Sequence, residues 1–142
     1  MPFREKTAWV MTVLLVMAGL KYASAVWSQS IALGQTPPPD IGLIALVTLL
    51  LVAGAIVAHI IAAAFSPGEA DAPEDERDRL VWWRAGNISG WVLGFGAFAG
   101  LWHYYFASDG NLLFHIIVVS LVLAQLAEYV LVIVFYRRSW VV

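Results

Sequence analysis

The chain has 142 residues, 61% of them hydrophobic and 13% charged, and its mean hydropathy is +0.80. An average soluble domain is about 25% charged, so the composition excludes a soluble globular domain and a disordered chain. Eight Lys and Arg against ten Asp and Glu exclude a nucleic-acid binder working through a basic surface, and the absence of cysteine excludes disulfides, thiolate metal sites and cysteine nucleophiles.

A helix that crosses a bilayer needs about 20 apolar residues. Four stretches meet that length, at about residues 7–27, 41–65, 83–107 and 112–136, so the whole of 1–142 reads as one all-α, four-span transmembrane domain. Arg4 and Lys6 precede the first apolar run, and Ala23-Ser24-Ala25 resembles a signal-peptide cleavage site. The run is read here as a retained first span. The outer loop 28–40 ends in Pro37-Pro38-Pro39-Asp40, where the prolines stiffen the approach and Asp40 is placed to cap the second helix. The second stretch contains no Asp, Glu, Lys or Arg.

The inner loop, residues 66–84, holds six acids against three arginines, a net −3. Asp71 is a plausible helix N-cap, Asp75 and Arg79 are spaced for an i,i+4 pair, and the third helix is expected to begin as a charged turn or two before its apolar part. Ser108-Asp109-Gly110-Asn111 predicts a tight outer turn that makes spans three and four an antiparallel hairpin. Lys and Arg mark the cytoplasmic side. Arg4, Lys6, Arg77, Arg79, Arg84, Arg137 and Arg138 fall on one side and Lys21 alone on the other, which predicts both termini in the cytoplasm. Trp27, Trp82, Trp83, Trp102, Tyr104, Tyr105, Tyr136 and Trp140 lie near span ends, as interfacial aromatics do.

Small residues let helix backbones approach closely in lipid. Gly86, Gly90 and Gly94 in span three, and Gly54 and Ala58 in span two, have the required four-residue spacing. They predict either packing of span three on span two or the interface of a homodimer.

Ionisable groups inside a span are costly and therefore informative. His59, Gln125 and Glu128 fall in the inner half and are expected to form a buried polar cluster, which serves either interhelical hydrogen bonding, a proton or ion relay, or a ligand pocket. His103 and His115 lie at nearly equal distances from the outer turn, with Lys21 and Tyr22 at about the same depth. Two histidines on adjacent helices suit a bis-histidine haem or the start of a metal site, although structural histidines are the simpler reading and no cofactor is expected. Gly-x-Ser-x-Gly, His-Glu-x-x-His, Walker and Rossmann motifs are all absent, so no enzyme is expected.

The segment Glu74, Asp75, Glu76, Arg77, Asp78, Arg79, Arg84 is either a solvated helix start or a docking surface for a cytoplasmic protein. The Asp75-Glu76-Arg77-Asp78 loop after a second span, followed by an amphipathic stretch, Ala85, Gly86 and an apolar helix, resembles a group of small four-helix bacterial membrane proteins that share an Asp-Glu-Arg-Asp cytoplasmic loop. The resemblance extends to membrane partners of LytTR-type DNA-binding regulators. It implies a multi-pass protein of the inner membrane that holds such a regulator through its inner loop without touching nucleic acid itself. The alternative from the residues alone is a small transporter, proton-coupled or haem-binding protein.

Overall fold

The structure, a computed structural model, describes residues 3–65 and 75–138. They form four helices: α1 (Phe3–Leu33), α2 (Ile41–Phe65), α3 (Glu76–Ala107) and α4 (Gly110–Arg137). Local chemistry sets the boundaries. Gly34, at φ 65°, ends α1 by donating its N–H to the Ser30 carbonyl, a left-handed cap that glycine adopts without strain. Asp40 caps α2 by accepting from the Leu43 N–H at 2.9 Å. Ser108, at φ 52°, ends α3, and Asp109 then accepts from the Leu112 N–H at 3.0 Å to start α4. The N-cap of α3 is Asp75; the alternative Asp71 lies outside the described residues.

α4 is the central helix. It packs along α3 over the greatest length and against α1 on its other flank, and α1 in turn carries α2. The order in space is therefore α2, α1, α4, α3, with α2 and α3 at the two edges. The core lies at one end, where Ala8 of α1, Val81 and Ala85 of α3, and Val132 and Ile133 of α4 meet, with Trp82, Tyr129 and Phe135 packed around them. Elsewhere large apolar side chains face outward on every helix, including Leu20, Leu49, Ile60, Trp91 and Leu121. A water-soluble monomer does not expose apolar surface on this scale. α1, α2 and α4 are long and apolar enough to cross a membrane.

The glycine stripes pack differently from the expectation. α2 meets α1, not α3: a Cβ at Gly54 would touch the Leu14 side chain at 3.2 Å, and Ala58, four residues on, is half-buried. On α3 the buried stripe is Val81, Ala85, Ser89 and Gly100. Gly86, Gly90 and Gly94 are rotated about 100° from Ala85 and Ser89. A Cβ at Gly90 or Gly94 would meet nothing, and one at Gly86 would meet only Glu128 Oε1, at 3.7 Å. The close approach to α4 is made instead by Gly96, where a Cβ would overlap the Ser120 hydroxyl, and by Gly100, where it would meet Leu113 and Ile116 at 3.1 Å. Four-residue spacing marks a face that can pack; the neighbouring residues decide which of two adjacent faces does.

Candidate functional site

The polar side chains gather at the two ends of the α1–α4 pair. At the end near the α3–α4 turn His115, buried on α4, holds two partners. Its Nε2 lies 2.9 Å from the Pro37 carbonyl and its Nδ1 2.7 Å from the Tyr22 hydroxyl. A carbonyl only accepts, so Nε2 carries the proton, Nδ1 presents its lone pair and Tyr22 donates. Beside this, the Thr36 hydroxyl donates to Asp109 Oδ2 at 2.9 Å. Two consecutive loop residues, Thr36 and Pro37, are thus tied to the first turns of α4, and α1 is tied to the same place through Tyr22. The Leu112 N–H, and after it the Thr36 hydroxyl, hold the Asp109 carboxyl below the usual aspartate range.

The depth argument for Tyr22, Lys21, His103 and His115 is only partly matched by pairing. Tyr22 and His115 are joined, whereas Lys21 and His103 are exposed. His103 sits on α3 beside Phe98, Trp102 and Phe106, and among the described residues no ring contact or hydrogen bond joins it to His115. With both ring nitrogens of His115 engaged, the pair does not have the geometry of a bis-histidine haem site. No group of three or more His, Asp or Glu side chains among the described residues is placed to hold a metal ion.

At the opposite end Glu5 is buried and its Oε1 meets Arg137 Nε at 3.1 Å, while the Arg137 guanidinium lies 5.4 Å above the Trp9 ring. The Tyr136 hydroxyl donates to Asp78, which fixes the first turn of α3 to the end of α4. Around that tie Asp75, Glu76, Arg77, Arg79 and Arg84 are exposed; Glu74 lies outside the described residues. The segment is therefore a short charged helical surface seated on the three-helix core.

The cluster of His59, Gln125 and Glu128 divides. Gln125 Nε2 donates to Glu128 Oε2 at 3.1 Å within α4, and Glu128 faces Gly86. His59 is exposed on α2 and its Nδ1 donates to the Ala55 carbonyl of its own helix at 2.9 Å. α2 stands on the far side of α1, so equal depth does not bring His59 to α4.

Two features escaped the sequence reading. Glu5–Arg137 was signalled by a lone acid at the inner start of α1 and a basic end on α4, but 132 residues separate them. The other is an aromatic ladder on α3, Trp91, Phe95, Phe98, Trp102 and Phe106, whose successive rings include pairs at 6.1, 6.0 and 5.3 Å. Its 4-3-4-4 spacing was readable as one helix face. No protein family, curated protein or solved structure matches the chain.

Proposed function

We propose that this chain is a non-enzymatic regulatory protein of a bacterial inner membrane that captures a cytoplasmic protein through the Glu74–Arg84 segment. In this reading α3 is the fourth span, antiparallel to α4, with its charges confined to the first turns, and both termini are cytoplasmic, where seven of the eight basic residues fall. The observation that carries the reading is the setting of the charged turn. Asp75, Glu76, Arg77 and Arg79 are exposed, yet the helix bearing them rests on Ala8, Val132 and Ile133 and is tied by Asp78 to Tyr136. Preformed charges on a rigid helix select a partner by electrostatic complementarity, with little ordering cost on binding. The resemblance to the four-helix family names the partner class as a LytTR-type regulator. The outer tie at His115 and the inner tie at Arg137 lie on one helix, so a change at the outer surface has a rigid element along which to reach the docking turn.

The test uses a photo-crosslinking residue at position 79 in living cells. An adduct with a soluble protein is expected from the parent chain and from Glu128→Gln. It is expected to fall by at least half when Asp75→Asn, Glu76→Gln and Arg77→Gln are combined, changes that leave the Asp78–Tyr136 tie in place. An undiminished adduct from the neutralised variant refutes docking through this segment.

A further inference from the structure

We propose that the groove between α1 and α2 is a binding site for one acyl chain of an anionic phospholipid, whose headgroup phosphate pairs with Lys21. The groove, about 350 Å³, is walled by Leu14, Met17 and Ala18 of α1 and Val47, Leu50 and Leu51 of α2, with Lys21 as its one charged lining residue. Below it the two helices meet where Gly54 admits the Leu14 side chain, and the groove opens beside that contact.

The charge identifies the occupant. Lys21 is exposed, and no hydrogen bond or ion pair among the described residues engages its ammonium. It lies six residues before Trp27, about 9 Å of helix rise. Trp27 is 71% exposed near the end of α1, the setting of an aromatic side chain at a membrane boundary. The four-carbon stem of a lysine covers apolar surface while its ammonium stays in a polar layer. An unpaired cation there is stabilised by an anion held just above the hydrocarbon. The same helix face continues upward as Ser24 and Ser28, both exposed, each donating to a carbonyl of its own helix and leaving oxygen lone pairs outward. The line from Leu14 to Ser28 thus changes from apolar to cationic to hydroxylic, which is the profile of a phospholipid from chain to headgroup. A zwitterionic lipid fits the apolar part equally well but brings its own cation to the phosphate. The negative headgroup is therefore what Lys21 distinguishes.

The site is tested by native mass spectrometry of the purified chain released from micelles containing equal amounts of phosphatidylglycerol and phosphatidylcholine of the same chain length. The parent chain should retain phosphatidylglycerol over phosphatidylcholine by about fivefold, the contribution of one lysine near a charged lipid surface. Lys21→Gln should abolish the preference while chain retention persists, and Lys21→Arg should restore it. Ala18→Trp, which fills the groove, should lower retention of both lipids. Because Lys21 is exposed, the Gln and Arg variants leave the packing intact. Equal retention of the two lipids by the parent, an unchanged preference in Lys21→Gln, or full retention in Ala18→Trp overturns the proposal. An unchanged preference in Lys21→Gln would also assign the selectivity to the arginines at the opposite end.

Discussion

The two flanks of α4 are joined to their neighbours by different means. On the α1 side the contact is pinned by side-chain polar bonds, Tyr22–His115 at one end and Glu5–Arg137 at the other. On the α3 side one polar bond, from Tyr136 to Asp78, holds a single end, and along the rest of the contact the backbones come close, with Gly96 against Ser120 and Gly100 against Leu113 and Ile116, and the Ser120 hydroxyl is returned to its own helix at the Ile116 carbonyl. Lipid supplies no hydrophobic drive for helices to associate. The α1 flank then has a polar bond at each end, whereas the α3 flank has one at a single end and relies for most of its length on dispersion between closely spaced atoms. Polar pins act at points and tolerate gaps between them. Small-residue packing works along a length and fails when a single side chain is enlarged.

Three tests bear on that difference. The largest effect is expected at His115. Replacing it with Leu leaves the buried Tyr22 hydroxyl and the Pro37 carbonyl without partners, at roughly 1–3 kcal/mol for each. A fall of that order in unfolding free energy is expected in detergent titrations. A double-mutant cycle with Tyr22→Phe should give a coupling of about 0.5–3 kcal/mol; additive losses would mean that the pin does not hold the helices. Next is the glycine flank. Gly96→Ala forces a methyl group onto Ser120 and should destabilise by about 1–3 kcal/mol. Gly90→Ala, one face away in open space, should be neutral or raise the melting temperature, since alanine favours helix by about 1 kcal/mol. Equal responses at the two positions would break the assignment of the packing face. The smallest effect concerns pH. Asp109 has a depressed pKa in the folded chain, so its stabilisation is present above the unfolded value of about 3.9 and is lost as pH falls through the folded value. Between about pH 5 and pH 3, cleavage of the Gly34–Asp40 loop by an acid-active protease should rise in the parent, with the Asp109→Asn variant showing the weaker dependence. Parallel profiles would remove Asp109 from the tie.

Much of the fold was readable. The apolar stretches fall on all four helices, three of them long and apolar enough to cross a membrane; the second begins and ends as expected, at Ile41 and Phe65, while the first runs on to Leu33 through residues expected in the following loop. The charged beginning of α3 and the sharp turn at Ser108 and Asp109 followed from capping and turn chemistry. Height along the helices was readable for Tyr22 and His115, placed at one level by counting residues from the turn and joined in the structure. Azimuth and neighbour identity were not. His59 and Glu128 were expected at one depth but stand on helices separated by α1, and Gly90 and Gly96 share a helix but face different surroundings. When every face of a helix is apolar, as lipid permits, the pattern that reveals the buried face in a soluble protein is erased. What remains is a few polar atoms, whose partners lie far off in the chain.

Those distances shape how the molecule is made. Tyr22 meets its histidine 93 residues later and Glu5 its arginine 132 residues later. A chain emerging from the ribosome delivers α1 and α2 first. While the nascent chain stops short of α4, a hydroxyl and a carboxylate on α1 lack the groups that will satisfy them, and the loop at Thr36 and Pro37 has nothing to fasten to. Among the four helices α4 is therefore the keystone of assembly, because these polar atoms of α1 find their partners only once it has been made.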